Sequence, residues 1–122
     1  MKPNNPGLTH VVAAFGYSMK GIRAAFIHER AFRLELVAGL ILFPLALWLG
    51  RSGVEFAILL GSLFLVLAFE MVNSSIEAVV DRVGTDFHEL SGRAKDLGSA
   101  SVFFAQMNAV VVWACILYDR FI

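Results

Sequence analysis

The chain has 122 residues, 58% of them hydrophobic, with ten basic and ten acidic residues and a formal net charge of zero. A soluble domain of this length hides only about 60–70% of its surface, so the apolar excess must face lipid or another subunit. The neutral balance gives no support for nucleic-acid binding, which uses a basic face, and the single cysteine, Cys115, excludes an intrachain disulfide and a cysteine-based zinc site.

In chain order, the N-terminus is polar and contains Pro3 and Pro6, and no apolar run directly follows Lys2, so it does not read as a signal peptide. Residues 8–28 follow. Leu8, Val11, Val12, Phe15, Met19, Ile22 and Phe26 fall on one face of a helix, with His10, Lys20 and Arg23 elsewhere. That pattern predicts an amphipathic helix lying on the membrane surface. A charged stretch, His28 to Glu35, leads into the uncharged run Leu36 to Leu49, and a first span is predicted over about 30–50. Pro44 inside it is tolerable in a membrane helix, and Trp48 suits its interfacial end.

Gly50-Arg-Ser-Gly53 is a turn signal. A second span is predicted over 54–80 and a third over 97–119, with residues 81–96 between them as a polar loop. Eight of the ten basic residues (Lys2, Lys20, Arg23, Arg30, Arg33, Arg82, Arg93 and Lys95) lie on one side of this arrangement; only Arg51 and Arg120 lie on the other. The positive-inside rule then puts the N-terminus and the 81–96 loop in the cytoplasm and the C-terminus outside. The expected fold is an all-α membrane domain of one surface helix and three transmembrane helices.

The second span carries the chemistry. Glu70, Asn73, Ser74 and Glu77 are spaced i, i+3, i+4, i+7 and share one helical face. A charged side chain deep in a bilayer costs on the order of 2.5–3.5 kcal/mol even on the lenient scale. This face must therefore meet protein, metal or water. A polar zipper between helices would account for Asn73 and Ser74; it accounts poorly for two carboxylates. Glu29 and Glu35 flank the cytoplasmic end of the first span. They read either as solvated partners of Arg30 and Arg33 or, for Glu29 together with Glu77, as ligands of a hard cation such as Mg²⁺. His88, Arg93, Lys95 and Asp96 in the following segment put cations where phosphates could be gripped, or else form a solvated basic loop. No Walker, dinucleotide or zinc-protease motif is present. Spacing alone stops at an intramembrane site with paired carboxylates near the cytoplasm.

Further residues carry a resemblance. The run Glu70-Met-Val-Asn-Ser-Ser-Ile-Glu-Ala-Val-Val-Asp81 resembles the signature of the prokaryotic diacylglycerol kinases, as do His88-Glu-Leu-Ser-Gly-Arg-Ala-Lys-Asp-Leu-Gly-Ser-Ala100, Gly16-Tyr-Ser-Met-Lys-Gly-Ile-Arg-Ala-Ala25, Glu29 and Ala31-Phe-Arg33. The likeness runs in order along almost the whole chain. It implies ATP- and Mg²⁺-dependent transfer of the γ-phosphoryl group to the hydroxyl of diacylglycerol, giving phosphatidic acid, by a homotrimer in the bacterial inner membrane with sites shared between subunits. It further implies Glu70 as general base and Glu29 and Glu77 as metal and nucleotide ligands. Tyr17, Asp86, His88, Lys95 and Asp96 are the implied nucleotide contacts. Ser18, Phe32, Glu35, Trp48, Glu70, Ser99 and Trp113 are the implied lipid contacts, with Asn73 orienting the glutamates. His10, Ala13 and Met19 depart from the family pattern, and Asp86 is a shorter acid than the usual Glu. An undecaprenol kinase is the neighbouring alternative, and a non-enzymatic membrane assembly protein the alternative from another class. Because Leu36–Leu49 and Phe56–Phe69 are bare of charge, a conducting path through the membrane is not expected.

Overall fold

The computed structural model describes residues 7–122, so the proline-containing start lies outside the described residues. Four helices follow one another: α1 (Leu8–His28), α2 (Arg30–Leu49), α3 (Gly53–Val83) and α4 (Glu89–Phe121). The last three are each long and apolar enough to cross a membrane. α3 and α4 pack against each other along the greatest length, α2 packs on α3, and α1 touches α2.

Local chemistry sets the helix ends. α1 and α2 are separated only by Glu29, whose backbone is extended. Arg33 holds this break: its Nη1 donates to the carbonyls of Phe26 at 2.8 Å and Ile27 at 3.0 Å, satisfying acceptors that the end of α1 leaves open. α2 runs through Pro44 without interruption. Ser52 caps α3, accepting from the Glu55 amide at 3.2 Å. The α2–α3 turn is tight, and a Cβ on Gly50 would lie 3.2 Å from the Ala46 carbonyl oxygen and 3.3 Å from the Phe56 backbone.

The expected loop over 81–96 is corrected here. α3 continues to Val83, α4 begins at Glu89, and only 84–88 is non-helical. His88 ends the connection by capping α4, its Nδ1 accepting from the Leu90 amide at 3.1 Å. Glu89 then sits in the first turn, where a negative charge suits the helix dipole. It also pairs with Arg93 at 3.5 Å. The transmembrane helices thus extend well past the apolar stretches that define the spans.

Buried apolar packing concentrates at the end near the Gly50 turn, where Ala46, Leu49, Leu59 and Ile116 form a core backed by Phe56, Leu60, Val112 and Trp113. The Trp113 indole N–H donates to Ser62 Oγ at 3.1 Å, and Ser62 donates in turn to the Leu59 carbonyl at 2.7 Å. At the same end Arg51 donates to the Arg120 carbonyl at 3.0 Å, and the Arg120 guanidinium stacks over the Trp48 ring. The opposite end of α3 buries polar side chains instead: Glu70 and Asn73 are only 6% and 7% exposed.

Candidate active site

The seam on α3 turns toward the other helices rather than away from them. Glu70 is buried and Glu77 half-buried. The Glu70 carboxyl lies within hydrogen-bonding reach of the Glu35 carboxyl on α2, and it feels the charges of Glu77 and Glu29. Carboxylates from the α1–α2 break, α2 and α3 therefore lie close enough to act on Glu70. Asn73 links two turns of the seam, donating from Nδ2 to Glu77 Oε1 at 3.3 Å.

α4 closes the region from the other side. Gly98 sits directly on Asn73: an added methyl would collide with Asn73 Oδ1 and lie 3.6 Å from Ile76 Cδ1. Glycine at this position is what allows α4 to approach the amide. Further along α4, the Gln106 amide donates to Glu35 Oε1 at 3.2 Å. Among the described residues, Glu35 Oε2, Asn73 Oδ1 and Ser74 Oγ are buried with no hydrogen-bond partner. Buried polar atoms are almost always satisfied by protein or ordered water, and these three have no partner within the described residues of the single chain.

Beside this cluster, the 84–88 connection and the adjoining helix ends line a cavity of about 540 Å³. Asp81, Asp86, His88 and Lys95 face it. Lys95 pairs with Asp81 at 2.8 Å across the connection. That bond, together with the charge of Asp81, holds the Lys95 ammonium above the usual lysine range, and Glu77 contributes in the same direction. The field of Glu77 on Lys95 ties the cavity to the carboxylate cluster.

The donor set suits a hard cation. Among the described residues Glu29 does not use its side chain to cap α2, and the Glu77 side chain hydrogen-bonds to Asn73 alone. Among the described residues no three His, Cys, Asp or Glu side chains converge into a closed metal cage. One or two carboxylates, with the remaining positions left to phosphate oxygens and water, is the pattern Mg²⁺ takes.

Not every expected residue reaches this region within one chain. Asp96 and Ser99 are exposed on α4. Tyr17 is exposed on α1, with Lys20 over its ring, and Ser18 bonds back to the Ala14 carbonyl at 3.1 Å. Phe32 is buried. Trp48 and Trp113 lie at the Gly50 end, where Trp48 stacks with Phe121 and Trp113 backs the core. Two residues outside the expected set, Gly98 and Gln106, contact it directly. Gln106 could have been suspected as an amide inside an uncharged run.

A chain of membrane-crossing helices that buries Glu70 among half-buried glutamates, beside a cavity lined with both signs of charge, has the make-up of a membrane-embedded enzyme. The family model of prokaryotic diacylglycerol kinase matches residues 16–117. The chain is 49% identical over 121 residues to the diacylglycerol kinase of Escherichia coli (strain K12), covering 99% of both. It is 49% identical over 112 residues to that of Haemophilus influenzae, covering 92% of this chain and 95% of the relative. To that of Pseudomonas aeruginosa it is 44% identical over 111 residues, covering 91% and 90%. The chain belongs to the prokaryotic diacylglycerol kinase family. It is an enzyme of the kinase class, which sets aside the non-enzymatic alternative.

Proposed function

We propose that the protein transfers the γ-phosphoryl group of ATP to the hydroxyl of diacylglycerol, giving phosphatidic acid and ADP, at the cytoplasmic surface of the bacterial inner membrane. The observation that carries this is the burial of Glu70 among Glu35, Asn73 and Glu77, beside the cavity holding Lys95 and His88. Phosphoryl transfer needs little covalent help from protein; it needs alignment and charge neutralisation. In this reading Glu70 accepts the proton of the lipid hydroxyl, and Asn73 fixes Glu77 through its amide. Lys95, His88, Asp86 and Asp96, with Tyr17, hold the nucleotide. Lys95 leaves Asp81 for phosphate oxygens. Glu29 and Glu77 hold Mg²⁺, which supplies positive charge against the phosphates.

The lipid stays in the membrane while its hydroxyl meets Glu70. Phe32, Glu35 and Ser99 lie on the helices around that point, and Ser18, Trp48 and Trp113 belong to the wider lipid surface. We read α1 as an amphipathic helix on the cytoplasmic surface, with the C-terminus outside; the excess of basic residues toward one end of the spans supports this. We read the assembly as a homotrimer with shared sites. Most apolar side chains of the spans are exposed in a single chain, and so is Tyr17.

The deciding experiment is phosphorylation of a lipid panel by purified protein with Mg²⁺-ATP. Turnover of dioleoylglycerol is expected. Turnover of undecaprenol without dioleoylglycerol would move the assignment to the undecaprenol alternative.

A further inference from the structure

We propose that Gln106 is a positioning residue of this site: reaching across from α4, it orients the Glu35 carboxyl toward Glu70 and the incoming lipid alcohol. The proposal deepens the reading above and rests on it.

The geometry has three parts. First, the Gln106 amide donates to Glu35 Oε1 at 3.2 Å, joining residues 71 apart in sequence. Among the described residues this is the one side-chain hydrogen bond between α2 and α4, which otherwise meet mainly where Trp48 lies against Arg120 and Phe121. One donor on one oxygen restricts how the carboxyl group can turn. Second, that leaves Glu35 Oε2 buried and without a partner among the described residues, on a carboxyl group that lies within hydrogen-bonding reach of Glu70. Two carboxyl groups this close either share a proton or take a donor from a third group, and the hydroxyl of a lipid alcohol is such a donor. Third, the Glu35–Gln106 pair forms the polar end of an otherwise apolar cavity of about 250 Å³ between α2, α3 and α4, walled by Leu42, Leu63, Val66 and Ala109. A polar end on an apolar channel matches a molecule with a hydroxyl at one end and hydrocarbon behind it.

The simpler alternative is that Gln106 only glues helices together, as amides do in membranes. The two ideas predict different measurements. Gln106→Leu, Glu35→Gln and the double variant are purified in detergent and assayed with Mg²⁺-ATP and dioleoylglycerol in mixed micelles. KM for each substrate, kcat, melting temperature and the release of inorganic phosphate in the absence of lipid are all measured.

If Gln106 positions Glu35, Gln106→Leu raises KM for the lipid at least five-fold while KM for ATP stays within two-fold. ATP hydrolysis relative to lipid phosphorylation rises, because water takes the place of a poorly held alcohol. The double variant then loses no more than Glu35→Gln alone. A lowered melting temperature with both KM values and the hydrolysis ratio unchanged would overturn the proposal in favour of helix glue. So would losses that multiply in the double variant. Wild-type protein inactive on dioleoylglycerol would instead count against the assigned substrate. The same comparison of wild type and three variants is then run on the lipid alcohol that is turned over, where the same shifts support positioning and the same losses overturn it.

Discussion

Gly98 of α4 and Asn73 of α3 touch so closely that no side chain fits between them. The contact places a helix backbone against the amide that holds Glu77. It makes a glycine on one span a determinant of a carboxylate on another.

Gly98→Ala is therefore expected to push the Asn73 side chain off Glu77. Overpacking of this kind costs about 1–3 kcal/mol. Turnover should fall at least ten-fold, and the melting temperature should drop. Asn73→Ala relieves the clash, so the pair Gly98→Ala with Asn73→Ala should recover thermal stability without recovering activity. Melting curves and initial rates on the three variants check this.

The roles of the two seam glutamates separate experimentally. Glu70→Gln removes the proton acceptor and should lower kcat by about 10²–10⁴, the range of a general base, at any Mg²⁺ concentration. Glu77→Gln should also be severely impaired, but part of its loss should be regained as Mg²⁺ is raised into the tens of millimolar (about ten times a usual assay). Mg²⁺ titrations of both variants, with size-exclusion profiles matching wild type, distinguish the assignments.

The Lys95–Asp81 pair predicts a pH effect. Asp81 raises the lysine, so the ammonium persists to higher pH than a free lysine would. Removing Asp81 lowers that value, and the charge is lost earlier as pH rises. In Asp81→Asn the alkaline increase in KM for ATP should begin at lower pH than in wild type. Lys95→Met should raise KM for ATP at every pH and abolish the difference. Profiles of KM against pH for the three proteins provide the check.

At the other end of the molecule, Trp113→Phe keeps most of the ring and loses the bond to Ser62. The expected cost is about 1 kcal/mol, read as a lower melting temperature. KM for ATP should not change, since Trp113 sits with the Leu59 core, away from the nucleotide cavity.

Much of the acidic site is visible in the spacing of residues 70–77, because a helix of known pitch puts i, i+3, i+4 and i+7 on one face. Burial of that face follows from the cost of charge in lipid. The membrane helices follow from uncharged runs, but their ends do not. Gly84, Gly92 and the density of charge suggest a loop over 81–96, while His88 and Glu89, a cap and an acidic first turn, specify a helix start. Proximity in sequence pairs Glu35 with Arg33. Arg33 instead satisfies the end of α1, which leaves Glu35 for Gln106. Contacts of the Gly98–Asn73 kind depend on which faces of two helices meet, and a one-dimensional pattern does not carry that. Trp48 and Trp113 enter the expected lipid surface only through resemblance, and in a single chain they stand at the end opposite the carboxylates.

The apolar core near the Gly50 turn has a mechanical consequence. The helices are clamped by an apolar cluster at that end, and α3 and α4 stay packed toward the carboxylates while α2 diverges from α4. Glu77 lies about 27 Å along α3 from Leu59. One degree of rotation at the clamp therefore moves it by about 0.5 Å, the whole tolerance for productive catalytic geometry. The lever amplifies small errors, and polar cross-links far from the pivot, added to the α3–α4 packing, take them up. Asn73 against Gly98, Gln106 on Glu35 and Lys95 on Asp81 act as stops on that motion.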